Sequence, residues 1–192
     1  GERNTAVGGE SLRMNTTGER NTAIGWRALY DNTGSYNTAV GDESLNKNTT
    51  GNHNTAVGTY SLYTNSSGYD NTAVGYDALT FNTTGSSNTA IGKDALYTNT
   101  TSNYNTAVGD SSLRYNTGPS NTATGYKALY SNTTANSNTA TGYKALYSNT
   151  TGNYNTAMGG NALYYNTTGN TNTAIGYYSL RYNTEGGYNS AM

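Results

Sequence analysis

The sequence predicts an all-β fold, a parallel β-solenoid (β-roll), and three observations carry that expectation. A short unit recurs along all 192 residues. The unit holds one β-prone segment followed by a turn-prone one. The composition also lies outside both ordinary classes. Leu, Ile, Val and Phe sum to only 20 residues, too few for a conventional core, yet 10 basic residues nearly balance 11 acidic ones, so the high net charge of disordered chains is missing.

The triplet Asn-Thr-Ala begins at Asn4, Asn21, Asn37, Asn54, Asn71, Asn88, Asn105, Asn121, Asn138, Asn155 and Asn172, with an altered copy at Asn189. The spacing is 17 residues, with two steps of 16. The unit reads N-T-A-(V/I)-G-x-x-(A/S)-L-x-x-N-T-T-G-x-x. Such a period is too short for helix-pair repeats and lacks heptads. It suits one coil of a solenoid: a strand, a bend, a second strand and a turn. About eleven coils at ~4.8 Å would span roughly 55 Å. The whole chain, 1–192, is expected to be a single array, uncapped at both ends, so either an excerpt of a longer array or a unit whose ends stack.

Each element has its reason. In the strand, Thr22 and Ile24 point one way while Asn21, Ala23 and Gly25 point the other. Both sets barely vary between copies, so both faces are expected to be buried, one inside the coil and one against something else. Two aliphatic side chains per coil, one Val or Ile and one Leu, are too few to offset the ordering of a whole coil. A homo-oligomer, most simply a trimer, would supply the missing burial. The N-T-T-G segment reads as a turn because both short copies lose a Thr there, giving Asn32-Thr33-Gly34 and Asn116-Thr117-Gly118. Pro119 falls just beyond it, where a missing N–H does least harm.

The stretch Asn21-Thr22-Ala23-Ile24-Gly25-Trp26-Arg27-Ala28-Leu29 resembles the head repeats of trimeric autotransporter adhesins, which carry an Asn-Ser-Val-Ala-Ile-Gly-x-x-Ser/Ala pattern. It is also similar to repeats of phage tail fibres. The resemblance extends over the whole chain and implies a left-handed parallel β-roll, a parallel homotrimer and surface attachment. The chain departs in its longer coil and in having Thr for Ser.

Little is left for catalysis. The single histidine, His53, lies in a variable turn, and the acidic residues fall irregularly, without the spacing of calcium-binding rolls. No phosphate-binding glycine motif occurs. No enzyme activity, metal or cofactor is expected. Cysteine is absent, which removes disulfides and thiolate chemistry and leaves the compartment open. No apolar run approaches the ~18 residues of a membrane span, and a net charge of -1 argues against a nucleic-acid partner.

The variable columns are therefore the candidate binding surface. All 20 tyrosines lie in them. The position after Leu is Tyr30, Tyr63, Tyr97, Tyr130, Tyr147 and Tyr164, with Arg13, Arg114 and Arg181 in the same column. Two readings apply: an exposed stripe that binds a surface glycan or protein receptor, or a stacked ladder that only stabilises the roll. Asn-x-(Ser/Thr) sites at Asn15, Asn48, Asn65, Asn82, Asn99, Asn132, Asn149 and Asn166 are either glycosylation acceptors or turn residues. Copies at Asn32, Asn116 and Asn183 keep the Asn without the acceptor pattern, which favours the turn. The expected function is a structural and adhesive segment of an extracellular fibre, on a cell surface or virion. A self-assembling filament is the alternative. An ice-binding solenoid is a further one, requiring two adjacent, outward, gap-free Thr columns.

Overall fold

A computed structural model describes all 192 residues. Twelve parallel strands form one sheet in sequence order. They are β1 (Thr5–Val7), β2 (Thr22–Ile24), β3 (Thr38–Val40), β4 (Thr55–Val57), β5 (Thr72–Val74) and β6 (Thr89–Ile91), then β7 (Thr106–Val108), β8 (Thr122–Thr124), β9 (Thr139–Thr141), β10 (Thr156–Met158), β11 (Thr173–Ile175) and β12 (Ser190–Ala191). The register is that of the repeat: Thr72 pairs with Thr89, Ala73 with Ala90 and Val74 with Ile91. The 16-residue steps keep it, so Thr22 still faces Thr38. The molecule is a β-solenoid, and each coil below takes the number of its strand.

The second strand expected in each coil does not form, although the coil-to-coil ladder continues through its place. Of 122 backbone hydrogen bonds, 100 lie outside the strands. In coil 5, N–H groups of Thr72, Leu79, Phe81 and Thr83 donate to coil 6, and those of Gly75, Asp77 and Ser87 donate back to coil 4. What replaces a second strand is a segment with left-handed residues at alternate positions, such as Asp77 (φ 55°) and Leu79 (φ 55°). A third left-handed residue, Ser87 in this coil, precedes the next strand. Such conformations cost roughly 1–2 kcal/mol each in L-residues, and the ladders on both sides hold them. Among the 34 non-glycine residues involved, only Thr171 is β-branched, as expected for a stiff Cβ crowded by its own carbonyl. The strand-ending glycines are held more tightly still: Gly75 has φ 136°, and a Cβ there would meet the Gly92 carbonyl carbon at 2.7 Å.

The interior is narrow. Its apolar cluster consists only of Ala and Leu, one Leu per coil from Leu29 to Leu163 fully enclosed, with Leu12 and Leu180 packed against the ends. The Val and Ile of the strands do not join it. They point outward beside Thr, and Ile24, for example, stays 40% exposed. The alternation read in the strand is therefore correct, while the burial expected of its Thr–Val face is absent from the single chain.

Asparagine fills the rest of the interior and closes each coil. Asn71 Nδ2 donates to the Gly85 carbonyl of its own coil (2.8 Å), and Asn82 Nδ2 donates to the same oxygen (2.9 Å). Asn71 Oδ1 accepts the backbone N–H of Asn88 in the next coil (3.0 Å), and Asn65 Oδ1 accepts from Asn82 Nδ2 (2.8 Å). Two asparagine ladders thus run the length of the molecule, each rung satisfying its neighbour. In the short coil 2, Asn32 reaches the Gly34 carbonyl two residues on rather than three (2.8 Å), so losing a Thr leaves the closure intact. The other short coil is less well matched: beside it, Asn99 Oδ1 and Asn105 Nδ2 have no partner. Pro119 occupies a column where the backbone N–H reaches only a neighbouring side chain, as from Ser86 to Asn103 Oδ1, so its missing donor forfeits no ladder bond.

Leu96→Ala should lower unfolding free energy by about 2–5 kcal/mol, because the enclosed coil cannot collapse around the void. Ile91→Thr, a residue this outward row already accepts at Thr124 and Thr141, should cost clearly less, because it opens no enclosed void inside the coil. Urea unfolding of the two variants checks the contrast, and equal costs would contradict the inward–outward assignment.

Candidate functional site: the outward columns

The structure stacks three consecutive members of the predicted tyrosine column. Tyr130, Tyr147 and Tyr164 have ring centroids 5.1 and 5.0 Å apart, at interplanar angles of 2° and 7°. All six predicted tyrosines, Tyr30, Tyr63, Tyr97, Tyr130, Tyr147 and Tyr164, are half-buried. Where the column is interrupted, other groups meet the rings: Phe81 packs edge-on to Tyr97, and Arg13 and Arg27 lie over Tyr30. The ring faces of the stack are therefore turned along the solenoid axis toward neighbouring coils. Their edges, rather than their faces, are left for a ligand.

The more exposed aromatics stand in other columns, which the sequence reading did not single out. One follows the strand-ending glycine: Trp26, Tyr76, Tyr126, Tyr143 and Tyr177. Another precedes the strand: Tyr36, Tyr104, Tyr154 and Tyr188. His53 belongs to this second column, exposed and stacked on Tyr36 at 4.9 Å. The signal that marks that column is conformational, since each of its members is left-handed and so projects differently from its neighbours.

The eight acceptor-pattern asparagines are turn residues whose amides are engaged. Asn48, Asn65, Asn82, Asn99, Asn132, Asn149 and Asn166 are fully buried in the second ladder, and Asn15 is half-buried at its end. Their nitrogens donate inward, as Asn149 does to the Gly152 carbonyl (2.9 Å). In the folded coil these amides serve closure, the turn role of the two sequence readings.

Charged groups pair between coils. Arg27 meets Glu10 at 2.7 Å, Lys47 meets Asp31 at 3.1 Å and Arg114 meets Asp94 at 3.6 Å. The hydrogen bond from Arg27 holds the Glu10 carboxyl below its ordinary range. Asp77 behaves oppositely. Burial pushes its carboxyl up, the Thr80 hydroxyl (3.3 Å) counteracts, and the Asp94 charge one coil away adds to the rise. The surface forms no pocket, and no three His, Cys, Asp or Glu side chains converge as metal ligands. Any ligand meets a ridge or a flat face.

The flat face is the sheet. Outward Thr runs without a gap from Thr5 to Thr173. Beside it runs a row of Val, Ile and Met, broken by Thr124 and Thr141. No family model, curated protein or solved structure matches this chain.

Removing Asn82 with Asn82→Ala strips a donor from the Gly85 carbonyl and an acceptor from Asn99, and should cost about 1–3 kcal/mol. Thr84→Ala destroys the same acceptor pattern at an exposed side chain and should be nearly neutral. Thermal melts of both variants separate the turn role from the glycan role. Asp77 gives a pH-dependent test. Its folded-state value is raised, so the native chain binds the proton more tightly and stability falls as pH rises through the carboxylate range. Asp77→Asn, which keeps the Thr80 acceptor, should melt higher than wild type at pH 7. That advantage should vanish below the unfolded-chain value of about 3.9. An advantage independent of pH would rule out the titration.

Proposed function

We propose that this chain is a structural and adhesive segment of an extracellular fibre, assembled from parallel copies of itself, most simply as a homotrimer. One observation carries the reading. The outward row of the sheet stays apolar in nine of eleven full strands although it is open in the single chain, with Val7 at 57% and Met158 at 45% exposure. Singly exposed aliphatic residues need no explanation, but a row of them unbroken over seven strands, from Val7 to Val108, marks a covered surface. Association along that row supplies the second buried face that so thin a core calls for. The resemblance to trimeric adhesin heads and tail fibres favours the same arrangement, and a rigid ridge without a pocket suits attachment better than small-molecule chemistry.

A second reading has its own observation: the gap-free outward Thr column beside the aliphatic row is half of the two-column array that ice binding requires. Thermal hysteresis at sub-zero temperature tests it.

For the fibre reading, sedimentation of dilute protein should give a discrete trimer. Val57→Lys with Ile91→Lys, both outward, should convert it to monomer with unchanged circular dichroism. A folded wild-type monomer overturns the reading, and long filaments would transfer it to a homopolymeric surface filament.

A further inference from the structure

The net charge of -1 conceals a segregation along the axis. Residues 1–110 carry six Lys or Arg against ten Asp or Glu, whereas residues 111–184 carry four cations and no carboxylate at all. Those four, Arg114, Lys127, Lys144 and Arg181, belong to coils 7, 8, 9 and 11. One file of aromatic rings connects them. Arg114 lies 5.6 Å from the Tyr115 ring, whose centroid is 5.1 Å from Tyr130. Lys127 stands 5.2 Å from Tyr130, and Lys144 5.5 Å from Tyr147. Arg181 closes the file 5.8 Å from Tyr164. Only Arg114 has an acidic partner within 4.0 Å, namely Asp94; Lys127, Lys144 and Arg181 have none. The cations are thus held in a line by rings instead of being neutralised by carboxylates.

We propose that coils 7–11 form a linear docking strip for an acidic polysaccharide. This deepens the adhesive part of the fibre reading and rests on it. The partner has to be anionic, because three cations without an acidic partner face it, and the only carboxylates of coils 7–11, Asp110 and Glu185, belong to the two end coils of the strip. It has to be extended, because the strip follows a ridge about four coil steps, roughly 20 Å, long. Lys127 and Lys144, one step apart, match acidic groups repeating along a polymer. It has to bind through hydroxyls and charge rather than through stacking. Single-stranded nucleic acid needs open aromatic faces for its bases, and the faces of Tyr130, Tyr147 and Tyr164 are already turned to one another. Tyr126 and Tyr143, 41% and 52% exposed, each lie 5.2 Å from a lysine ammonium and add phenolic hydroxyls beside it.

The test is retention of the full chain on immobilised alginate, a polyuronate, against neutral dextran at low and high salt. Wild type should bind alginate, release with salt and ignore dextran. Lys127→Gln with Lys144→Gln should weaken binding about tenfold or more, since close charge pairs dominate such contacts. Arg20→Gln with Lys93→Gln removes the same charge from the acidic half and should change it less than twofold. Equal losses from the two pairs, equal retention on dextran, or tighter binding to single-stranded DNA or to anionic vesicles would each overturn the proposal. Sedimentation of the same samples keeps the two readings apart. A trimer that fails to bind alginate sinks the polysaccharide proposal alone, and a monomer that binds it sinks only the fibre assembly.

Discussion

Two side-chain amides share one carbonyl in every full coil except coil 7, where Asn105 Nδ2 has no partner, and the circumference of the solenoid follows from that. Asn71 and Asn82 both reach the Gly85 oxygen, so the start of the coil and its turn are drawn to a fixed separation. The free oxygen of each amide then holds the adjacent coil. An unsatisfied amide in so dry an interior would be expensive, which makes each rung dependent on the ones above and below. This mutual dependence explains why the frame of the repeat is nearly invariant inside one chain. It also explains where the frame yields: the segment between the second Asn and its Gly accepts a deletion because the amide can still reach the carbonyl.

Amide closure allows a core that would otherwise be too small. Leu and Ala contribute modest apolar burial, and many backbone positions are held in left-handed conformations that oppose folding. The compensation is a ladder that does not stop at the strand ends. Because N–H groups from all around the coil find carbonyls in the neighbouring coils, order is propagated by stacking rather than by a hydrophobic centre. Strands of three residues suffice under these conditions, since the sheet is only the most regular part of a continuous ladder.

The repeat, its turn and the inward side of the strand were legible from residues such as Asn21, Ala23 and Gly34. The second strand was misread for a physical reason. Left-handed residues at alternate positions give Asp77 and Leu79 the same two-residue spacing as a strand, and periodicity cannot tell the two apart. A subtler sign was present: every Val and Ile of the chain sits in the three-residue strands and none in the left-handed columns. The tyrosine column was correctly aligned, but the direction of its ring faces depends on stacking between coils, which the sequence does not encode position by position. A balanced total charge likewise hid the separation of Lys127 and Lys144 from the acidic coils.

Amide closure has a consequence for how such a molecule lengthens. A rung recognises another rung of the same kind, so one 17-residue coil can sit beside another, and whole units of that length can be gained or lost without disturbing those that remain. Residues 121–134 and 138–151 are identical over fourteen positions, NTATGYKALYSNTT, the pattern that copying of one unit leaves behind. Each such copy extends the rod by one step and places another Lys and another pair of Tyr directly in line with the last. Length and the number of outward Lys and Tyr side chains are thereby tied together.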